Sequence, residues 1–371
     1  MMPRTLVYSR RLSDAVFSCR ASLSAYGAGS QRLVLLGLGM MLVVVFLFGL
    51  TVGPVSIAIT DVWFSLRQAL SMAPTGSAND WVVRELRLPR ALLAMIVGAG
   101  LAVAGVITQG VFRNPLADPG LIGVSSGAAL AAVAVIVLNQ SLLSGWVSLT
   151  GPLALPLAAF MGGLGVTLVI YRLGTRGGQT QVGMLLLAGV AINVLAGAAT
   201  GVLTYAANDQ QLRDMTFWSM GSLASGRWQD VMALAGLIGV PLLLSLRYRR
   251  LLNALLMGEQ VAIHLGFDVQ RSKRWLLAFA ALMVGAGVAV TGIIGFVGLV
   301  VPHLLRMVMG SDHRGLIPAS ALGGALLLLV ADTLARTWMA PADLPVGLVM
   351  ALLGGPIFLL LLVQQTGGQR R

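Results

Sequence analysis

Apolar runs of about twenty residues recur along the whole of this chain, and that recurrence leaves few folds open to it. A helix rises about 1.5 Å per residue, so a hydrocarbon layer roughly 30 Å thick is crossed by about 20 apolar residues. Inside that layer backbone N–H and C=O groups meet no water, so a crossing segment must pair them within itself, as a helix does. The runs are 33–53, 89–112, 121–138, 150–171, 181–205, 230–247, 274–292, 296–309, 315–335 and 344–363. They predict an all-α polytopic membrane protein of about ten transmembrane helices. Its organisation is read as a tail over 1–32 and one transmembrane domain over 33–371, interrupted by a polar loop at about 248–273.

Composition agrees. The chain is 57% hydrophobic and 10% charged, where soluble domains carry about 25% charge. The run at Leu33–Gly53 follows 32 residues of Arg/Ser-rich sequence and is too long for the apolar core of a signal peptide. A net charge of +12 and a pI of 11.3 invite a nucleic-acid reading. The stronger reading places the basic residues on cytoplasmic loops, where they set orientation against the lipid bilayer, with no nucleic-acid partner. With the N-terminus inside, 18 of the 25 Lys+Arg fall on cytoplasmic segments, so both termini are expected in the cytoplasm. Seven fall outside, among them Arg67, Arg84, Arg87 and Arg90 before the second span and Arg336 at the end of the ninth. The one cysteine, Cys19, excludes an intramolecular disulfide and a Cys-based metal site.

Between Arg274 and Arg306 lie 31 uncharged residues, too many for one span and few for two. Gly292, Gly295 and Gly298 mark a break, so the expectation is one helix, a tight turn and a short or tilted helix. Val97-Gly-Ala-Gly-Leu-Ala-Val-Ala-Gly-Val-Ile resembles Val284-Gly-Ala-Gly-Val-Ala-Val-Thr-Gly-Ile-Ile. Five spans separate the two copies, so they run in opposite directions, as in two inverted five-helix halves. The many glycines within spans let helices approach closely, which is how helices associate in lipid.

The chemistry the chain lacks is informative. There is no G-x-x-x-x-G-K-[ST] phosphate loop, and the only lysine is Lys273, so ATP chemistry would have to come from another subunit. Asp332 is the only clear intramembrane acid, whereas carriers coupled to protons or sodium usually place ionisable groups near midplane. Loop 113–120 is stiffened by Pro115 and Pro119 and reads either as a plug at a pore mouth or as a simple helix–helix turn. In 250–266 leucines recur at helical spacing around a break at Gly258. Two short amphipathic helices suit a docked soluble protein or the lipid surface, and Glu259 and His264 favour the protein. His303 and His313 are spaced poorly for a metal. Thr108, Gln109 and Asn193 face either a pore or a neighbouring helix.

Several motifs occur in order: Arg87-Leu-Pro-Arg90, Gln109 with Asn114 to Gly127, Trp218-Ser-Met-Gly221, Gly295 to His303, Asp312-His-Arg314 and Ala331-Asp332. From about 35 to 365 the chain resembles the FecCD-type permeases of type II ABC importers for haem, ferric siderophores and cobalamin. The resemblance implies a homodimer in the bacterial inner membrane, on two ATP-binding subunits, fed by a periplasmic binding protein. It implies no permanently bound cofactor: haem or a related iron chelate is cargo, and ATP sits on the partner subunit. Asp118-Pro-Gly-Leu-Ile-Gly-Val-Ser-Ser looks most like the haem branch, ahead of siderophore and cobalamin. By the same resemblance Arg87, Arg90 and Arg336 dock the binding protein. Asn114, Pro115 and Leu116, with Thr180, Val182 and Gly183, form the cytoplasmic gate. Leu255, Leu256, Gly258, Glu259, His264 and Gly266 belong to the helices that contact the ATPase. The rivals from other classes are an ion-coupled secondary carrier and a membrane scaffold without transport.

Overall fold

The computed structural model describes residues 28–71 and 76–368; the expected tail, with Cys19, lies outside them up to residue 27. Seven helices among the described residues are long and apolar enough to cross a bilayer, and three shorter apolar helices complete the expected ten. In chain order they are α1 Ala28–Thr51, α2 Ile59–Leu70, α3 Ala78–Phe112, α4 Val124–Leu138, α5 Ser144–Thr150 and α6 Ala154–Gly174. A hairpin of β1 Thr175–Arg176 and β2 Gln179–Thr180 leads to α7 Val182–Tyr205 and α8 Asp209–Met220. Then follow α9 Trp228–Ser245, α10 Arg249–Met257, α11 Glu259–His264, α12 Val269–Thr291, α13 Val297–Met309, α14 His313–Thr337 and α15 Val346–Gly368.

Three helices form the centre. The most apolar windows of α3, α12 and α14 are 78%, 72% and 67% buried, against 17% for α1 and for α7. α3 packs on α14, α12, α13 and α9. Small residues make this possible: a Cβ on Gly98 would strike the Gly324 carbonyl of α14, and one on Gly105 the Gly298 carbonyl of α13. The two related sequence motifs meet here, with a Cβ on Gly287 of α12 lying 3.4 Å from Val97 of α3. The C-terminus of α12 and the N-terminus of α3 share one end of the bundle, since Ser222 N–H donates to Thr291 O and Trp228 Nε1 to Arg84 O. The pair is therefore antiparallel, as inverted halves require.

The break between the seventh and eighth spans is Gly292–Phe296, with positive φ at Gly292 (70°) and Phe296 (67°). Pro302 inside α13 has no N–H to give the Gly298 carbonyl four residues earlier. Gln109 of α3 supplies it, donating Nε2 to Gly298 O at 3.2 Å. Gln109 thus faces a neighbouring helix. So does Asn193, which accepts Ser126 Oγ–H at 2.6 Å, while Thr108 bonds back to Ala104 O within its own helix. α2, α8 and the hairpin lie outside the expected apolar runs, because none of them is both long and uncharged.

Candidate functional site

The polar devices gather at the two ends of the bundle. At one end Arg87, Arg90 and Arg336 come together, but inward: they are 6%, 8% and 4% exposed. Arg90 donates Nε to Asp332 Oδ1 at 2.8 Å and a terminal nitrogen to Asp343 Oδ2 at 2.7 Å. Arg336 Nε sits 3.2 Å from the other Asp332 oxygen, an ion pair without hydrogen-bond alignment. Its terminal nitrogens donate to Gly49 O and Val52 O, and Arg87 donates to Leu50 O and Val55 O. The last carbonyls of a helix have no intrahelical partner and carry partial negative charge. Two guanidinium groups therefore cap the C-terminus of α1 and hold it to α3 and α14. Asp332, fully buried, is matched by two cations on its two oxygens, the arrangement that makes a buried charge tolerable. Arg67, Arg213 and Arg227, by contrast, are exposed at this end.

The opposite end carries the loop after α3, the hairpin, α10–α11 and the turn before α14. Arg113 adopts φ 50° and closes α3. Asn114 Oδ1 then accepts Leu116 N–H at 3.0 Å, and Asp118 Oδ1 accepts Gly120 N–H at 2.7 Å, so side chains fold the loop locally. Burial pushes the Asp118 carboxyl up, against the Gly120 N–H. Asn114 and Pro115 are exposed and Leu116 half-buried. Thr180 is 4% exposed, Val182 half-buried and Gly183 exposed at the start of α7. Among the described residues no hydrogen bond directly joins these two segments, which were expected to form the gate.

α10 divides its residues sharply. Leu251, Leu252 and Leu255 are buried against the bundle, with Leu252 over Gly110 of α3. Leu256 and Met257 are exposed, and with Val261, Ile263 and Leu265 they make an apolar strip. Gly258 (φ 124°) and Gly266 (φ 83°) bracket α11, in backbone conformations L side chains resist. Glu259 pairs with Lys273, 2.6 Å between Oε2 and Nζ, and His264 only bonds back to Gln260 O of its own helix. Asn253 ties α10 to the start of α14: its Nδ2 donates to Asp312 Oδ1 at 2.7 Å and its Oδ1 accepts His313 N–H at 2.9 Å. Burial alone would raise the Asp312 carboxyl, but the Arg314 N–H, the Asn253 amide and the nearby cations hold it below its ordinary value. Asn253, Asp343 and Gln270 were not singled out by the sequence: Asn253 and Gln270 are polar residues in or beside the short helices α10 and α11, and Asp343 lies in the loop before α15.

The described residues thus form a polytopic helical bundle packed through small residues. The chain belongs to the FecCD transport family, whose model matches residues 41–364. It is 47% identical over 342 residues to a hemin transport system permease protein of Yersinia pestis, covering 91% of this chain and 98% of that one. It is 42% identical over 335 residues to a vitamin B12 import system permease protein of Vibrio cholerae, covering 90% and 94%. A solved inward-facing structure of a putative metal-chelate type ABC transporter superposes with a TM-score of 0.76 at 31% identity, over 90% of this chain and 99% of that one.

Proposed function

We propose that this chain is the membrane subunit through which an ATP-driven importer moves haem, or a related iron chelate, into the cytoplasm. The observation that carries the reading is the 47% identity to a hemin permease over nearly the full length of both chains. The chain has no phosphate loop, so a partner subunit hydrolyses ATP, and the strip at Leu256, Met257, Val261, Ile263 and Leu265 is where that subunit seats. Two copies enclose the path, and the gate lies at Asn114–Leu116 and Thr180–Gly183. Both termini lie in the cytoplasm of a bacterium whose inner membrane holds the complex.

A periplasmic binding protein lands at the arginine end. Arg90 has one buried partner, Asp332, and one partly exposed, Asp343 with 35% of its side chain accessible. A carboxylate on the docked protein replaces Asp343 on Arg90, while Arg87 and Arg336 keep the platform rigid. An ion-coupled carrier finds little support, since Asp332 is already neutralised by Arg90 and Arg336.

The test is uptake of haemin into proteoliposomes holding this chain with its ATP-binding subunit, haemin being supplied on the binding protein. ATP-dependent accumulation is expected, with no accumulation under a pH or sodium gradient alone. Gradient-driven uptake by the isolated chain would select the carrier reading.

A further inference from the structure

One side chain joins the α10–α11 pair to the hairpin ahead of α7. Gln270, in the first turn of α12, accepts the Thr180 N–H on Oε1 at 2.9 Å and donates Nε2 to Glu259 Oε1 at 2.8 Å. The second Glu259 oxygen takes Lys273 Nζ at 2.6 Å, and Lys273 is 1% exposed. The amide has only one satisfactory orientation, because a backbone N–H can only donate and a carboxylate can only accept. Thr180 is itself fixed, its hydroxyl lying 3.2 Å from Thr175 Oγ1 and 3.4 Å from the Tyr171 hydroxyl. A displacement of α11 therefore reaches the hairpin through consecutive hydrogen bonds, with Gly258 and Gly266 free to hinge on either side of α11.

We propose that Gln270 is the positioning residue that transmits movement of α10–α11 to the Thr175–Thr180 hairpin and so to the start of α7. The inference rests on the importer reading above and adds the physical connection between the ATPase seat and the gate. Coupling of this kind needs a contiguous set of contacts whose arrangement both sites bias. A single amide suits it: it bridges a neutral backbone and a charged side chain without adding a charge of its own.

The experiment uses the full complex in proteoliposomes and reads ATP hydrolysis and haemin uptake separately. Gln270→Met keeps the volume and removes both hydrogen bonds; hydrolysis is expected to continue while haemin imported per ATP falls about fivefold or more. Gln270→Glu alone sets two carboxylates against each other and uncouples in the same way. Combining Gln270→Glu with Glu259→Gln keeps the total charge and can rebuild all three hydrogen bonds, with only the one between positions 270 and 259 reversed in direction, and restores uptake per ATP. A purely structural brace predicts otherwise: hydrolysis and uptake would fall together with complex stability, and that result overturns the proposal. So does unchanged uptake per ATP in Gln270→Met, or failure of the exchange to restore it. A wild-type complex that imports nothing with ATP removes the importer reading itself, whereas a coupled wild type beside an equally coupled Gln270→Met removes the relay alone.

Discussion

Asp332 shows what a single buried carboxylate does here. It stands between the guanidinium groups of Arg90 and Arg336, so its loss leaves Arg336 buried without a carboxylate and Arg90 with Asp343 alone. Removing one partner of a buried pair costs about 3–5 kcal/mol, while an exposed pair contributes about 1 kcal/mol or less. Asp332→Asn is therefore expected to lower the thermal midpoint of the purified complex markedly. Asp343→Asn should leave it nearly unchanged yet alter the affinity for the binding protein, measured by titration of the detergent-solubilised complex. Equal midpoints for Asp332→Asn and the parent would refute the clamp. Gln109→Leu belongs to the same scale: it strips the Gly298 carbonyl of its donor, at a cost of about 1–3 kcal/mol. The arginines stood out in the sequence as cations against the expected positive-inside pattern. Their inward turn was not legible there, because their acceptors are backbone carbonyls of α1, and carbonyls leave no trace in residue identity.

Elements divide their labour by face. In α10 Leu255 is 1% exposed and Leu256 is 46% exposed, although they are adjacent and chemically alike. Leu255→Asp buries a charge and should abolish accumulation of folded protein. Leu256→Asp should leave the thermal midpoint unaltered and weaken retention of the ATP-binding subunit on affinity-purified complex. Reversed outcomes would mean that the outer strip, not the inner one, anchors α10. The amphipathic pair and its break at Gly258 were readable from leucine spacing. Which leucine faces out was not, since two helical ridges of Leu are equivalent until α3 and α14 occupy one of them.

For the whole molecule the consequence of composition is a bundle that packs through gaps rather than through bulk. Gly98 and Gly105 let α3 touch the backbones of α14 and α13. Gly105→Leu has no room to relax, because its neighbour is main chain, and should prevent the complex from assembling, seen as aggregation in size-exclusion chromatography. Orientation is tested by single cysteines, after Cys19→Ser, placed at exposed Leu149 and Met257. A membrane-impermeant maleimide applied to intact cells is expected to label the first and spare the second; the opposite pattern would invert the assignment of ends.

Sequence alone determined the number of spans, the break near Gly292, the antiparallel relation of the two Gly/Ala/Val motifs and the amphipathic pair. Each follows from hydropathy and periodicity, which act locally and are written into residue order. Tertiary structure alone decided which side chains meet: Arg336 with Gly49, Asn253 with Asp312, Gln270 with Thr180 and Glu259. Those pairings depend on where distant helices come to rest, and in an apolar solvent many packings satisfy the same hydropathy until specific hydrogen bonds choose one.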